Sequence, residues 1–212
     1  MSDLISVTCP RCKARVGENC HDSSSHGAPH RERIDKGVLI LFSGGMDSSL
    51  LVKRAVESGR RVVPLFVDYG QPHYDKECAA AEAICDRYGL VLRVVERGLH
   101  GGLIRGGSPV VPHRNLNLVA YAANRARAER CPIVQIGCCA ADAKMFADCR
   151  PDYLALLDGL LGETKLAAPL LHVTKREIRR ELGRMLPQTW SCYHPQDGEP
   201  CGKCGACKAR DA

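Results

Sequence analysis

Four of the 13 cysteines lie near the C-terminus at spacings that suit a single metal ion. They are separated by eight, two and two residues: Cys192, Cys201, Cys204 and Cys207. Four thiolates so placed can surround zinc tetrahedrally. A Cys-x2-Cys-x2-Cys run also ligates iron–sulfur clusters, so these are the alternative occupant. The pattern predicts a four-cysteine zinc site in a C-terminal segment covering residues 188–212.

A second cysteine cluster lies at the N-terminus. Cys9, Cys12 and Cys20 precede three histidines, of which we favour His30 as a fourth ligand, with His26 as the alternative. Three thiolates and one imidazole make a closed structural zinc site. Because so short a segment buries little apolar surface, the metal would supply its folding energy. We predict a zinc-binding module over residues 1–35; the alternative is a disordered polar leader.

A third stretch could bind phosphate. The apolar run 37–42 is typical of a buried parallel strand, and apolar residues at helical spacing follow over 48–56. Between them lies Ser43-Gly44-Gly45-Met46-Asp47, in which we expect serine and aspartate to cap the helix. Glycines allow close approach of the backbone, and the free N–H groups of the helix start attract an anion. The pattern is not a Walker loop, since no glycine here is followed by the required Lys-Ser/Thr.

Strands alternate with helices from Gly37 to Pro187, which predicts an α/β fold with a doubly wound parallel sheet. Further strands are predicted at 61–68, 90–96, 131–137 and 166–171, and further helices at 75–88, 115–130, 150–161 and after a capping box at 174–177. The glycine-rich residues 97–112 suit a flexible active-site loop. Ligands bind at the carboxyl ends of such strands. Four stretches fall there: 43–47, 68–73, 111–115 and 142–150.

Bulk properties narrow the class of protein. The chain has 212 residues, 45% apolar content and a formal net charge of +6, which suits a globular protein with anionic substrates such as ATP. No apolar run approaches the length of a membrane span, and the first residues do not resemble a secretion signal. We therefore expect a cytoplasmic protein whose cysteines are metal ligands and free thiols instead of disulfides.

The Ser-Gly-Gly-Met-Asp-Ser stretch resembles the pyrophosphate loop of the ATP-pyrophosphatase superfamily, which has the adenine nucleotide alpha hydrolase-like (HUP) fold and activates carboxylates or carbonyls by adenylation. The resemblance implies a catalytic domain over residues 36–187 that binds ATP and Mg²⁺. The residues it implies for the nucleotide are Leu41, Phe42, Ser43, Gly44, Gly45, Met46, Asp47, Ser48, Ser49, Val67 and Asp68.

A more specific resemblance, to the 7-cyano-7-deazaguanine synthase family, runs from about Val38 to the C-terminus. Its motifs are Val-Asp-Tyr-Gly-Gln from Val67, Val-Pro-His-Arg-Asn from Val111, Asp-Cys-Arg-Pro from Asp148, and the Ser-Cys-Tyr…Cys-Gly-x-Cys-x-x-Cys ending. The resemblance implies 7-carboxy-7-deazaguanine and ammonia as substrates, zinc on the C-terminal cysteines, and a homodimer. Two places depart from the family pattern: His113, where a small residue is usual, and 143–147, where Tyr-Ser-Gly-Tyr-Pro is common.

The same resemblance implies roles for individual side chains. Asp47 would organise Mg²⁺ or the loop, or act only as a helix cap; Arg114 would neutralise the substrate carboxylate or a phosphate; Lys175 would reach phosphate oxygens. His73 would orient ammonia or substrate, and Asp148 with Arg150 would read the base or pair with each other. The implied catalytic residues are Asp47, His73, Arg114, Asp148 and Lys175. The implied substrate-binding residues are Tyr69, Gln71, Arg114, Asn115, Asp142, Asp148 and Arg150.

The N-terminal Cys-Pro-x-Cys pattern resembles a small zinc-binding motif of actinobacteriophage proteins, which implies a phage-encoded chain with a nucleic-acid or protein partner. Two other functions stay open at this point. One is a related pyrophosphate-loop enzyme that acts on a macromolecule, by thiolating tRNA or attaching a deazaguanine to a protein. The other is a nucleic-acid-binding zinc protein with a degenerate core, against which the intact Ser-Gly-Gly-Met-Asp-Ser stretch argues.

Overall fold

The computed structural model describes residues 9, 11–15, 18, 20–21, 37–96 and 111–211. The predicted ligand His30 and most of the predicted loop 97–112 lie outside these residues. The strands are Gly37–Leu41 (β1), Arg61–Val67 (β2), Arg93–Val95 (β3), Ile133–Gln135 (β4) and Lys165–Ala167 (β5). The helices are Met46–Glu57 (α1), Tyr74–Tyr88 (α2), Arg114–Ala128 (α3), Ala140–Met145 (α4), Pro151–Leu160 (α5), Lys175–Leu182 (α6) and Gly205–Asp211 (α7). Ala147–Cys149 and Gly183–Gln188 are 3₁₀ turns.

The five strands form one parallel sheet in the order β3-β2-β1-β4-β5, which confirms the predicted doubly wound fold. β1 is central and pairs over five residues with β2, from Gly37 opposite Arg61 to Leu41 opposite Leu65. The order reverses at β1, because β2 follows on one side and β4 on the other. Ligands bind above that reversal point in folds of this kind.

Helices cover both faces of the sheet, which is why β1 reads as an unbroken apolar run. Val38 and Ile40 pack with α1, α2 and α6 in one core, whereas Leu39 and Leu41 pack with α3 and α5 in the other. Successive side chains of a strand point to opposite faces. Every residue of β1 and β2 is buried as a result. Among the described residues, no helix is long and apolar enough to span a membrane.

Several predicted boundaries were wrong in detail. β3, β4 and β5 have three residues each, because pairing extends over only three positions at β2–β3, β1–β4 and β4–β5. α4 and α7 were not predicted at all. α4 begins after Cys139, whose backbone N–H donates to Asp142 at 3.0 Å, and cysteine is not a typical cap residue. The predicted capping box of α6 is confirmed: the N–H of Thr174 donates to Glu177 at 2.8 Å.

Candidate active site

The turn between β1 and α1 can hold only glycine at its tightest point. Gly44 has φ +73°, and a Cβ there would lie 2.6 Å from the carbonyl oxygen of Glu77 and 2.8 Å from the amide nitrogen of Ala81. Real Cβ atoms do not approach backbone atoms so closely. The turn is thus pressed directly against the first turns of α2, and a hydrogen bond from the N–H of Trp190 to Gly44 O (3.0 Å) holds its other side.

The start of α1 is open. Its N-cap is Gly45, and no side chain among the described residues caps it, so the prediction that serine and aspartate cap this helix was wrong. Asp47 lies inside the first turn, while Ser43 and Ser48 contact each other through their hydroxyls at 3.3 Å. The N–H of Gly45 donates to the Ser43 hydroxyl at 3.3 Å. An uncapped helix start leaves backbone N–H groups and the positive end of the helix dipole for an anion.

A lysine from the last long helix reaches this loop. Lys175 Nζ donates to Asp47 Oδ2 at 2.7 Å and lies 3.7 Å from Asp142 Oδ1. Burial raises the pKa of Asp47, and Lys175 only partly opposes that effect. For Lys175 itself burial lowers the pKa, but the two carboxylates outweigh it and the net pKa is raised. The other Asp47 oxygen, Oδ1, is buried and has no hydrogen-bond partner among the described residues.

The strand ends and helix starts around this cluster line one cleft. Many of the residues that were predicted to bind ATP or substrate, or to act in catalysis, line this cleft. They are Leu41, Phe42, Ser43, Gly45, Asp47, Ser48, Val67, Tyr69, Gln71, Arg114, Asn115, Asp142 and Lys175. The predicted residues outside its lining are Gly44, Met46, Ser49, Asp68, His73, Asp148 and Arg150. The lining also includes residues not predicted, among them Glu77, Gly137, Cys138, Phe146, Cys149 and Tyr193.

Two tyrosines and an arginine form one wall of the cleft. Burial raises the pKa of Tyr69 to about 12, with a further contribution from the charge of Glu77 and opposition from Arg114. Tyr193 directly follows the predicted metal ligand Cys192, and burial raises its pKa as well. Burial lowers the pKa of Arg114, but Tyr69, Tyr193 and other acidic groups outweigh burial and the net pKa is raised. This cation therefore stays charged. The wall therefore combines two aromatic rings with one fixed positive charge.

A chain of polar side chains lies beside these tyrosines. The N–H of Tyr69 donates to Gln71 Oε1 at 2.9 Å, and Gln71 Nε2 donates to Val67 O and to Glu77 Oε2, each at 3.3 Å. His73 Nε2 is 3.3 Å from Glu77 Oε1, yet neither ring nitrogen of His73 has a hydrogen-bond partner among the described residues. The His73 ring also packs at a tilt on Tyr193, with centroids 5.6 Å apart. His73 therefore contacts Glu77 and Tyr193, which line the cleft, but does not line it itself.

The Asp-Cys-Arg segment is tied to the start of α3. Asn115 is buried, and its Nδ2 donates to Asp148 O at 3.0 Å and to Cys149 Sγ at 3.4 Å. Asn115 thereby links the two segments, and its amide nitrogen is already used. Asp148 is half-buried, while Arg150 is exposed and starts α5 as its N-cap. The structure thus separates Arg150 from the side chains that line the cleft.

The four C-terminal thiols lie within 4.8 Å of one another. Backbone N–H groups donate to three of the sulfurs, including those of His194 and Cys201 to Cys192 Sγ at 3.4 and 3.3 Å. The N–H groups of Lys203 and Cys204 lower the pKa of Cys201 to about 6. Thiolates that are held by N–H groups in this way are suited to bind a metal ion.

Three N-terminal thiols also converge. Cys9, Cys12 and Cys20 lie within 4.8 Å of one another. Although burial raises the pKa of Cys12, the N–H groups of Ala14 and His21 and the two other thiols lower it to about 6. The Cys9 N–H donates to Ala14 O at 2.8 Å, which closes a tight turn around the first pair of thiols. This group could hold a metal ion.

Comparison with known proteins identifies the family. Residues 37–104 and 105–212 match the family model of the queuosine biosynthesis protein QueC. The chain belongs to the QueC family. Among known relatives, the 7-cyano-7-deazaguanine synthase of Prochlorococcus marinus (strain MIT 9303) is 34% identical over 210 residues, covering 84% of this chain and 92% of that protein. The synthase of Synechococcus elongatus (strain ATCC 33912 / PCC 7942 / FACHB-805) is 33% identical, covering 82% and 88%.

Residues 4–38 match a second family model, that of a phage zinc finger domain with a presumed DNA-binding role. This match covers the three converging thiols and lies almost entirely before the QueC match. The chain therefore carries an N-terminal extension that its QueC-family core does not include.

Solved structures share the fold. The U34-tRNA thiolase NcsA from Methanococcus maripaludis, solved with its [4Fe-4S] cluster, aligns with TM-score 0.55 and 17% identity, covering 98% of this chain and 80% of that one. NMN synthetase from Francisella tularensis aligns with TM-score 0.51 and 16% identity, covering 79% and 71%. At these identities the likeness shows a shared fold alone.

The two departures from the QueC-family pattern have different positions. His113 is exposed, has φ +56° as the N-cap of α3, and does not line the cleft. A small residue is easier to place at such a positive φ, although histidine tolerates it better than most side chains. In the segment 143–147, Phe146 alone lines the cleft. Phe146 is therefore the part of these departures that could contact a ligand.

Proposed function

We propose that the protein is an ATP-dependent ligase that converts 7-carboxy-7-deazaguanine and ammonia into 7-cyano-7-deazaguanine. The observation that carries this proposal is the cluster of Asp47, Lys175 and Asp142 beside the open start of α1, in a chain that belongs to the QueC family. Known relatives at about one-third identity are named 7-cyano-7-deazaguanine synthase.

The chemistry requires activation, because a carboxylate is a poor electrophile. A carboxylate oxygen attacks the α-phosphorus of ATP, and pyrophosphate leaves as the bond between the α- and β-phosphates breaks. Ammonia then attacks the acyl carbon, AMP leaves, and an amide remains. The amide oxygen then attacks the α-phosphorus of a second ATP and releases a second pyrophosphate, and loss of AMP and of the nitrogen-bound protons gives the nitrile. Each step builds negative charge on the leaving phosphates. The protein's main contribution is therefore positive charge held next to those phosphates.

The residues of the cleft can supply that charge. The N–H groups at the start of α1 and the ammonium group of Lys175 would hold the departing pyrophosphate. Arg114, a fixed cation beside Tyr69 and Tyr193, would bind the carboxylate of the substrate. Leu41, Phe42 and Val67 offer apolar surface and strand ends for the adenosine part of ATP.

The carboxylates beside the loop fit a magnesium ion. Asp47 Oδ1 is buried without a hydrogen-bond partner among the described residues, and Asp142 lies 3.7 Å from the Lys175 ammonium group that also contacts Asp47. Carboxylate oxygens are ligands that Mg²⁺ accepts together with substrate phosphates. When bound, Mg²⁺ would neutralise charge on the triphosphate. Asp47 and Asp142 are the residues we assign to hold it.

The C-terminal thiols fit zinc in a structural role. Cys192, Cys201, Cys204 and Cys207 complete a four-thiolate set, which leaves no open position for a substrate. Tyr193, the neighbour of Cys192, lines the cleft. A metal on these thiols would therefore fix one wall of the active site.

The proposed adenylation is tested by exchange of labelled pyrophosphate into ATP without ammonium. We expect exchange to depend on 7-carboxy-7-deazaguanine and to fall by roughly 100-fold in Lys175→Met, because a charge facing the leaving group is lost. Lys144→Met, at an exposed position of α4, is the control and should exchange as the wild type does. Exchange that is independent of the carboxylate, or unchanged in Lys175→Met, would contradict the proposed roles.

For the N-terminal extension we propose contact with nucleic acid. The match of residues 4–38 to a phage zinc finger domain and the net charge of +6 support this. Electrostatic binding to DNA weakens steeply with salt. The full chain should therefore shift a DNA duplex at low salt, and a Cys12→Ser variant should shift it less. Equal binding by both proteins would place the contact elsewhere.

A further inference from the structure

Glu77 is a buried carboxylate in the cleft that no part of the proposed mechanism uses. It lies in the first turn of α2, is 8% exposed, and lines the cleft. Among the described side chains, Gln71 alone donates a hydrogen bond to it, at a long 3.3 Å. A carboxylate can accept about four hydrogen bonds, and a buried one needs donors to offset its lost hydration. Glu77 therefore has acceptor capacity left for a ligand.

The surroundings fix this carboxylate in place. Gln71 is held by the N–H of Tyr69 at 2.9 Å and by Val67 O at 3.3 Å, so its side chain positions Glu77 and is not free for a ligand. His73 contacts the same carboxylate, with Nε2 3.3 Å from Oε1. The Glu77 carboxylate is therefore held in position before a ligand binds.

The rest of the wall suggests the shape and charge of that ligand. Tyr69 and Tyr193 line the same cleft and offer flat aromatic surfaces to a planar ring. Arg114 supplies a positive charge, and no ion pair between Arg114 and Glu77 occurs in the described residues. A planar heterocycle with an N–H donor edge and an anionic substituent matches this separation of charges.

We propose that Glu77 recognises the N1–H and 2-amino groups of a 7-deazaguanine base, and so determines the choice of base. The inference rests on the proposed function. Two adjacent N–H donors on one edge of the ring match the two oxygens of one carboxylate. The carboxylate substituent at position 7 would then be left for Arg114. Gln71 and His73 are positioning residues for this contact.

The test compares two bases in the ammonium-free pyrophosphate exchange: 7-carboxy-7-deazaguanine and 7-carboxy-7-deazahypoxanthine, which lacks the 2-amino group. The wild type should prefer the guanine-type base by roughly 10- to 100-fold in kcat/KM, the range expected for loss of a paired hydrogen-bond contact. Glu77→Gln should lose most of that preference through a higher KM for the guanine-type base. The KM for ATP should stay unchanged, which also shows that the variant is folded.

Glu82→Gln is the matched control, since Glu82 is exposed on the same helix. It should keep the wild-type preference. A Glu77→Gln variant that retains full discrimination would overturn the inference, as would one in which only the KM for ammonium rises in the complete reaction. If the wild type exchanges pyrophosphate with neither base, the proposed function itself fails, so the two failures are distinguishable.

Discussion

Gly44 is the residue on which the geometry of the phosphate loop depends most. An added Cβ would clash with two backbone atoms of α2, at 2.6 and 2.8 Å, in addition to the strain of φ +73°. Gly59 shares a positive φ, +69°, but has open space around its Cβ position. A comparison of Gly44 with Gly59 therefore separates the effect of backbone strain from the effect of a steric clash.

We expect Gly44→Ala to lower the free energy of unfolding by more than about 3 kcal/mol, because either the loop or α2 must move. Gly59→Ala should cost only about 1–2 kcal/mol, the cost of the left-handed conformation alone. Urea unfolding followed by circular dichroism measures both. Equal losses in the two variants would show that the loop accommodates a side chain and is not pressed against α2.

Part of the site could be predicted at the level of single residues. Ser43, Asp47 and Lys175 were predicted from a motif and a helix start, and the structure brings all three to one cleft. Glu77 and Tyr193 were not predicted. Glu77 lies four residues into a helix that looks like any charged surface helix, and its burial depends on contact with the glycine turn. Tyr193 reaches the cleft only because the C-terminal segment folds back, which no local pattern reveals.

At the scale of elements, a second ion pair joins α1 and α6, in addition to that between Asp47 and Lys175. Arg54 of α1 donates to both carboxylate oxygens of Glu181 in α6, at 2.7 and 2.6 Å. The hydrogen bond from Arg54 lowers the pKa of Glu181. Burial of the carboxylate raises this pKa by less, so the net pKa is lowered. Both side chains are more than one-third exposed, so solvent screens the pair.

We expect Glu181→Gln to reduce stability at pH 7 by up to about 1 kcal/mol. Because the folded pKa of Glu181 is depressed, its contribution is present above the unfolded pKa of about 4.3 and is lost as the pH falls through the folded value. The stability difference between wild type and variant should therefore vanish in acid. A difference that persists below about pH 3 would mean that the carboxylate contributes through packing instead.

The elements themselves were predicted where periodicity is strong. α1, α2, α3 and α5 lie within two residues of their predicted bounds, since each has a long apolar stripe or a clear stop signal. α4 and α7 have only six and seven residues, and the N-cap of α4 is a cysteine, which is not a typical cap residue. The short outer strands depend on how far neighbouring strands run side by side, which is a property of the assembled sheet. The burial of Arg61 could not be predicted from the sequence either. Its guanidinium group donates to Glu129 O at 2.7 Å, at the end of α3.

At the scale of the whole molecule, the C-terminal metal site joins the tail to the active site. We expect the purified protein to contain zinc on Cys192, Cys201, Cys204 and Cys207, and Cys204→Ser to lose about one equivalent of it. The melting temperature should fall by at least about 5 °C, because metal binding contributes folding free energy. Cys78→Ser, outside both thiol clusters, should change neither quantity. A brown protein with iron and visible absorbance would contradict zinc and favour an iron–sulfur cluster.

The central claim concerns the reaction, and mass spectrometry of the products tests it most directly. The full-length protein is incubated with 7-carboxy-7-deazaguanine, ATP, Mg²⁺ and ammonium, and a parallel reaction omits ammonium. We expect the signal of the carboxylate to be replaced by that of 7-cyano-7-deazaguanine, with AMP and pyrophosphate released, and no nitrile without ammonium. Consumption of ATP with the base recovered unchanged, or with the base attached to a macromolecule, would contradict the assignment.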